Sequence, residues 1–128
     1  MSEKKKLRIL IADDEIHIRM MLKMAMISMG TEVVGEAKNG AEAIELFKKA
    51  KPDIMLLDVN MPIKTGDEVL KAIKSEFPDA CIIMMTSVAD SETVENCINL
   101  GAATYILKDT PLNEMKQMIK EAWDEFKS

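Results

Sequence analysis

The chain has 128 residues, 48% of them hydrophobic and 30% charged, with a formal net charge of −5. This suits one soluble globular domain with a single substantial core and excludes a disordered chain. The negative balance argues against non-specific nucleic-acid binding and no apolar run approaches a membrane span; the few apolar residues between Lys4-Lys5-Lys6 and Asp13 are too short for a leader.

The first predicted strand covers residues 7–12, LRILIA, and runs into Asp13, Asp14 and Glu15. A helix over 15–29 follows, stopped by Gly30, which suits the left-handed position after a helix end. Its methionines, Met20, Met21, Met24, Met26 and Met29, are too many for one face. They serve either as core packing with some exposed thioether or as an adaptable partner surface. The second strand covers 32–36 around Val33 and Val34. Lys38-Asn39-Gly40 turns the chain into a helix over 41–50 whose stripe is Ala43, Ile44 and Phe47.

Pro52 introduces the third strand, 54–57, which carries no polar side chain and ends at Asp58, before a loop closed by Pro62. A strand apolar on both faces belongs to a parallel sheet covered by helices. Thr65 and Glu68 have capping-box spacing, and the helix they start carries Val69, Leu70, Ile73 and Phe77 until Pro78 ends it. The fourth strand, 81–85, reads CIIMM and is followed by Thr86. Asp90 or Ser91 caps a helix to about residue 100, closed by Gly101. The fifth strand, 104–107, leads to Lys108. Thr110 then caps a last helix with Pro111 in its first position, and Leu112, Met115, Ile119, Ala122 and Phe126 form its apolar face. Trp123 reads as a packing anchor at the edge of that helix. Cys81 and Cys97 lack metal-type spacing and, without an export signal, read as reduced thiols in a cytoplasm.

Strand and helix alternate five times with short loops and no linker, so residues 1–128 are expected to form one domain with no output domain. The expected architecture is α/β, a doubly wound, flavodoxin-like five-stranded parallel sheet in the order 2-1-3-4-5 with helices on both faces. In such sheets ligands sit beyond the carboxyl ends of the strands. Asp13, Asp14, Asp58, Thr86 and Lys108 each follow or end a strand, so they should converge on one pocket. Two unit charges about 4 Å apart repel by roughly 4 kcal/mol at an effective dielectric of about 20. Three acids therefore need positive company: Lys108 supplies one charge, and an oxygen-only shell suits magnesium or manganese for the remainder. An aspartate in such a place can attack phosphorus and form an acyl phosphate, with Lys108 and the Thr86 hydroxyl offsetting charge on the phosphoryl oxygens.

LIADDE (residues 10–15), LLDVNMP (56–62), MMTS (84–87) and GAATYILK (101–108), with the closing amphipathic helix, resemble the receiver domains of two-component response regulators over essentially the whole chain. The resemblance implies that Asp58 accepts a phosphoryl group from a histidine kinase or histidine phosphotransfer protein. It implies magnesium held directly by Asp14, Asp58 and the Asn60 backbone carbonyl, and through water by Asp13. It implies Thr86 and Tyr105 as a switch pair, with the output on the fourth helix, fifth strand and fifth helix binding a downstream protein. Many receivers place a proline directly after the lysine; here Asp109-Thr110 intervenes before Pro111.

The module is expected to act by binding, catalysing only its own phosphorylation and dephosphorylation, in the cytoplasm and without nucleic acid or membrane. The alternative is a small magnesium-dependent aspartate-nucleophile phosphatase. Such enzymes need an acid two residues after the nucleophile, where this chain has Asn60. A flavin carrier on the same fold would want a Ser/Thr/Gly-rich first loop rather than Asp-Asp-Glu. His17, the one histidine, reads as a surface residue of the first helix.

Overall fold

The computed structural model describes residues 6–87 and 90–128. Among the described residues five strands, β1 (Arg8–Ala12), β2 (Glu32–Ala37), β3 (Ile54–Asp58), β4 (Cys81–Thr86) and β5 (Thr104–Leu107), alternate with five helices. The helices are α1 (Ile16–Ser28), α2 (Gly40–Ala50), α3 (Gly66–Glu76), α4 (Ser91–Asn99) and α5 (Leu112–Lys127). All ladders are parallel and the order is β2-β1-β3-β4-β5, as expected from the sequence.

The central strands β3 and β4 are buried along their whole length because each face meets a helix layer. Leu10, Met55, Leu57, Ile82 and Met84 point to one side, against Phe47 of α2, Leu70 and Ile73 of α3 and Cys97 of α4. Ile9, Ile11, Ile54, Leu56, Ile83 and Met85 point to the other, against Leu22 and Met26 of α1 and Met115 and Ile119 of α5. Side chains alternate across a strand, so a polar residue placed just past the apolar run emerges at the sheet edge rather than inside either layer.

Local signals act largely as read. Gly30 and Gly101 adopt φ +80° and +106° after α1 and α4, where a side chain would be strained. Asn39 and Asp90 cap α2 and α4 by accepting from the N–H groups of Glu42 and Glu92. The Glu68 carboxylate accepts from the Thr65 N–H at 3.0 Å, as the capping box requires. Two details differ. Pro111 is itself the residue before α5, with extended ψ, and Leu112 is the first helical residue. The apolar face of α5 is buried only at Met115, Ile119 and Ala122; Leu112 and Phe126 overhang the sheet and are over a third exposed. Trp123 is partly buried against the α1–α5 layer and stacks on Phe126. Both cysteines are buried and unpaired, and burial pushes the Cys81 thiol up to about 11, which makes it inert. Among the described residues no helix is long and apolar enough to cross a membrane.

Candidate functional site

The site is assembled from strand ends. The Asp13 N–H donates to the Ala37 carbonyl at 3.0 Å, which carries the β1–β2 ladder one residue past β1 and holds Asp13 at the rim. Asp58 is the last residue of β3, registered opposite Met85. Thr86 ends β4, and its carbonyl accepts from the Lys108 N–H at 2.8 Å, which aims the residue after β5 back toward the centre of the edge. The Lys108–Asp109 peptide is trans, like every peptide bond among the described residues. Thr110 then turns back, donating its N–H to the Leu107 carbonyl at 3.1 Å.

These placements bring three carboxylates together. Oxygens of Asp13, Asp14 and Asp58 lie within 4.8 Å of one another. Asp13 and Asp58 are nearly sealed from solvent, at 1% and 3% exposure, whereas Asp14 is open. The Lys108 ammonium stands between them, 2.7 Å from Asp13 Oδ2 and 3.0 Å from Asp58 Oδ1, with Glu15 Oε1 at 3.9 Å. The Asn60 N–H donates to Asp58 Oδ1 at 3.2 Å, and the Glu15 N–H donates to Asp13 Oδ1 at 2.9 Å. Asp13 Oδ2 is close to Lys108 but outside hydrogen-bond geometry, and it is the one buried side-chain oxygen or nitrogen among the described residues with no hydrogen bond.

The electrostatics follow from burial. Burial raises the Asp58 pKa to about 6; the charge of Asp13 pushes the same way, and Lys108 and the Asn60 N–H only partly offset them. Burial pulls Lys108 down, but the carboxylates of Asp13 and Asp58 more than reverse it and hold its pKa above the ordinary value. One ammonium shared by buried acids leaves a net negative, oxygen-lined corner. The three clustered carboxylates, an all-oxygen donor set among the described residues, fit a hard divalent cation.

Tyr105 is registered opposite Met84, and Thr86 opposite Leu107, so Thr86 and Tyr105 are diagonal neighbours on one face of the sheet. Tyr105 is half-buried against the layer formed with α2, α3 and α4. The predicted residues therefore share one edge, with Tyr105 set back along β5.

Four features escape a reading of the sequence. Glu15 closes the rim beside Lys108. Arg19 donates from Nη1 to the Asp13 carbonyl at 2.7 Å. Gly66 brings the first turn of α3 so near β3 that a Cβ there would lie 2.2 Å from the Asp58 carbonyl oxygen. Ile63 sits at φ +72° in a γ-turn closed by the Lys64 N–H on the Pro62 carbonyl at 2.8 Å, and its side chain is 74% exposed beside the site. Glu15 could have been found from its contiguity with the acid pair; the other three depend on tertiary approach.

The outer face of α1 is also distinctive. Ile16, Met20, Met24 and Ile27 recur at helical spacing and are each more than half exposed, a continuous apolar stripe that begins next to the acid pair. Met26 is buried and Met21 and Met29 are partly buried, so the methionines of this helix divide between core and surface.

Residues 9–120 match the response regulator receiver domain family. The chemotaxis protein CheY of Thermotoga maritima is 42% identical over 101 residues, spanning 79% of this chain and 84% of that protein. The chemotaxis protein CheY of Bacillus subtilis is 38% identical over 114 residues, spanning 89% and 95%. Among solved structures, the CheX-CheY-BeF3-Mg+2 complex from Borrelia burgdorferi superposes with a TM-score of 0.90 at 26% identity, covering 93% of this chain and 90% of that one.

Proposed function

The chain belongs to the receiver-domain family of two-component response regulators, whose general function is phosphorylation on an aspartate with magnesium, and from that premise we propose that Asp58 is its phospho-acceptor. The observation that carries this reading is the sharing of one buried ammonium, Lys108, by Asp58 and Asp13 beside a third carboxylate. A site so short of positive charge is complementary to a cation and a phosphoryl group together.

In the reaction an Asp58 oxygen forms a bond to phosphorus while the P–N bond of a donor phosphohistidine breaks. The electron pair leaves on the imidazole nitrogen, which takes up a proton. Lys108 follows the charge onto the phosphoryl oxygens as a fixed point charge. Asp14, Asp58 and the Asn60 carbonyl would hold magnesium, with Asp13 acting through water. When bound, that cation supplies positive charge for the equatorial oxygens. Asn60 offers no proton to a leaving group, which favours a self-modifying module over a turnover phosphatase.

Phosphorylation adds nearly two negative charges and strong acceptor oxygens at the end of β3. The Thr86 hydroxyl turns toward them, and the half-buried Tyr105 ring moves inward behind it. The surface of α4, β5 and α5 thereby exchanges one population for another and binds a downstream protein. The phosphodonor is a histidine kinase or phosphotransfer protein, and it docks on the α1 stripe. Its imidazole must reach bonding distance of Asp58, and the stripe is an apolar surface that begins with Ile16, two residues after Asp14.

Acetyl phosphate with magnesium is expected to add one phosphoryl group, labile to hydroxylamine and absent from Asp58→Asn. Met24→Asp should keep the acetyl phosphate reaction and slow transfer from a phosphohistidine protein by about tenfold or more. Undiminished labelling of Asp58→Asn would overturn the acceptor assignment, and unchanged transfer to Met24→Asp would overturn the docking face.

A further inference from the structure

We propose that Arg19 is a positioning residue that holds the Asp13-Asp14 pair in the geometry a divalent cation needs; this rests on reading those acids with Asp58 as the cation site. Arg19 lies on α1, and its side chain is only 13% exposed. Its Nη1 donates to the carbonyl oxygen of Asp13 at 2.7 Å. That carbonyl belongs to the rigid peptide unit joining the two acids, so the bond fixes the plane from which Asp14 leaves the rim. The remaining contacts of Asp13 complete the clamp. Its N–H donates to the Ala37 carbonyl at 3.0 Å and its Oδ1 accepts from the Glu15 N–H at 2.9 Å, leaving Oδ2 directed to Lys108.

The guanidinium is braced in turn. Arg19 Nε lies 3.5 Å from Glu36 Oε1 on β2, and the other oxygen of Glu36 lies 3.3 Å from Lys23 Nζ on α1. The loop bearing the acids is thus tied to the neighbouring strand through one planar side chain. Lysine could keep the charge but not this fork, because an ammonium on a flexible stem cannot reach the carbonyl and Glu36 with fixed geometry.

Electrostatics alone would give the opposite sign. A positive charge beside three carboxylates repels an incoming divalent cation, so its removal should tighten binding by simple Coulomb attraction. Loss of positioning should weaken it. Magnesium titration of the unphosphorylated full chain by calorimetry decides between them. Arg19→Gln, which removes both charge and fork, is expected to raise the magnesium Kd roughly tenfold, as outer contacts of metal ligands commonly do. Arg19→Lys and Glu36→Gln should move it in the same direction by less, and they carry the test if Arg19→Gln does not fold. The acetyl phosphate reaction should show a raised KM for magnesium with kcat restored at saturation. Equal or tighter magnesium binding by Arg19→Gln, or a lowered Tm with the Kd unchanged across these variants, overturns the proposal. Asp14→Asn measured alongside separates the two failures: if it too leaves the Kd unchanged, the cation-site reading itself falls.

Discussion

The two edges of the sheet are built from the same strands and helices but handle charge in opposite ways. In this parallel array each helix returns against its strand, so helix amino termini gather at the carboxyl edge and helix carboxyl termini at the amino edge. At the amino edge, cations meet the exposed carbonyls. Arg8 Nη1 donates to the Ala50 and Lys51 carbonyls at the end of α2, at 2.7 and 3.0 Å. Lys74 Nζ donates to the Pro78 and Ala80 carbonyls beyond α3, at 2.7 and 2.9 Å. The Arg8 N–H donates to Asp53 Oδ2, and Phe47 packs on Phe77 with ring centroids 5.3 Å apart. At the carboxyl edge acids crowd beyond what one lysine balances, an oxygen of Asp13 lacks a hydrogen bond, and Ile63 holds a backbone conformation that β-branched residues avoid. Backbone strain occurs at both edges, since Lys51 at the amino edge is left-handed at φ +46°, but only the carboxyl edge also crowds acids around one ammonium. Such a concentration marks a site whose geometry serves a reaction rather than stability.

The contrast is sharpest where backbone touches backbone. Gly66→Ala should destabilise the protein by about 3 kcal/mol, because a methyl group 2.2 Å from the Asp58 carbonyl forces the start of α3 away from β3. The same shift moves Asp58, so labelling by acetyl phosphate should fall with the denaturation midpoint. A variant with unchanged midpoint and labelling would mean that the two backbones are not held together as tightly as their contact implies.

Asp58 reverses the usual pH dependence of a carboxylate's contribution to stability. The Asp58 pKa is about 6 against an ordinary 3.8, so its contribution to stability is complete below 3.8 and is lost as pH rises through about 6. Without magnesium, Asp58→Asn should therefore be more stable than the parent at about pH 7.5, by on the order of 2 to 3 kcal/mol, and should lose that advantage near pH 4. Lys108, its pKa raised, stays charged throughout this window. Urea denaturation at the two pH values measures the difference; a parent as stable as the variant at about pH 7.5 would contradict the frustration attributed to this edge.

Much of this contrast is legible in the amino-acid string, and the rest is hidden for identifiable reasons. IMLL before Asp58 and CIIMM before Thr86 announce strands buried on both faces, and strand ends fix where the next polar residue emerges. That is why Asp13, Asp14, Asp58 and Lys108 can be gathered without coordinates. The Arg19 contact is not visible, because whether an arginine on the first helix reaches a carbonyl six residues earlier depends on how α1 lies over β1 and β2. Ile63 is invisible for a different reason: sequence marks positive φ by glycine or asparagine, and neither is there. Leu112 and Phe126 fall on the apolar face of α5 by period, but a period gives the direction of a face and not where the sheet beneath it ends. The division of the α1 methionines between core and surface needed the same missing information.

The smallest expected effect tests the other side of the comparison. Arg8→Met keeps an unbranched chain along β1 but removes the guanidinium from the carbonyls of Ala50 and Lys51. Those carbonyls lie at the partly solvated end of α2, so water replaces much of what is lost, and the cost should be only about 1 kcal/mol. Magnesium affinity and acetyl phosphate labelling should not change, because nothing in this contact reaches the other end of the strands. If Arg8→Met weakened magnesium binding as much as Arg19→Gln does, the two edges would be mechanically coupled along β1. The separation of a stabilising end from a reacting end would then have to be given up.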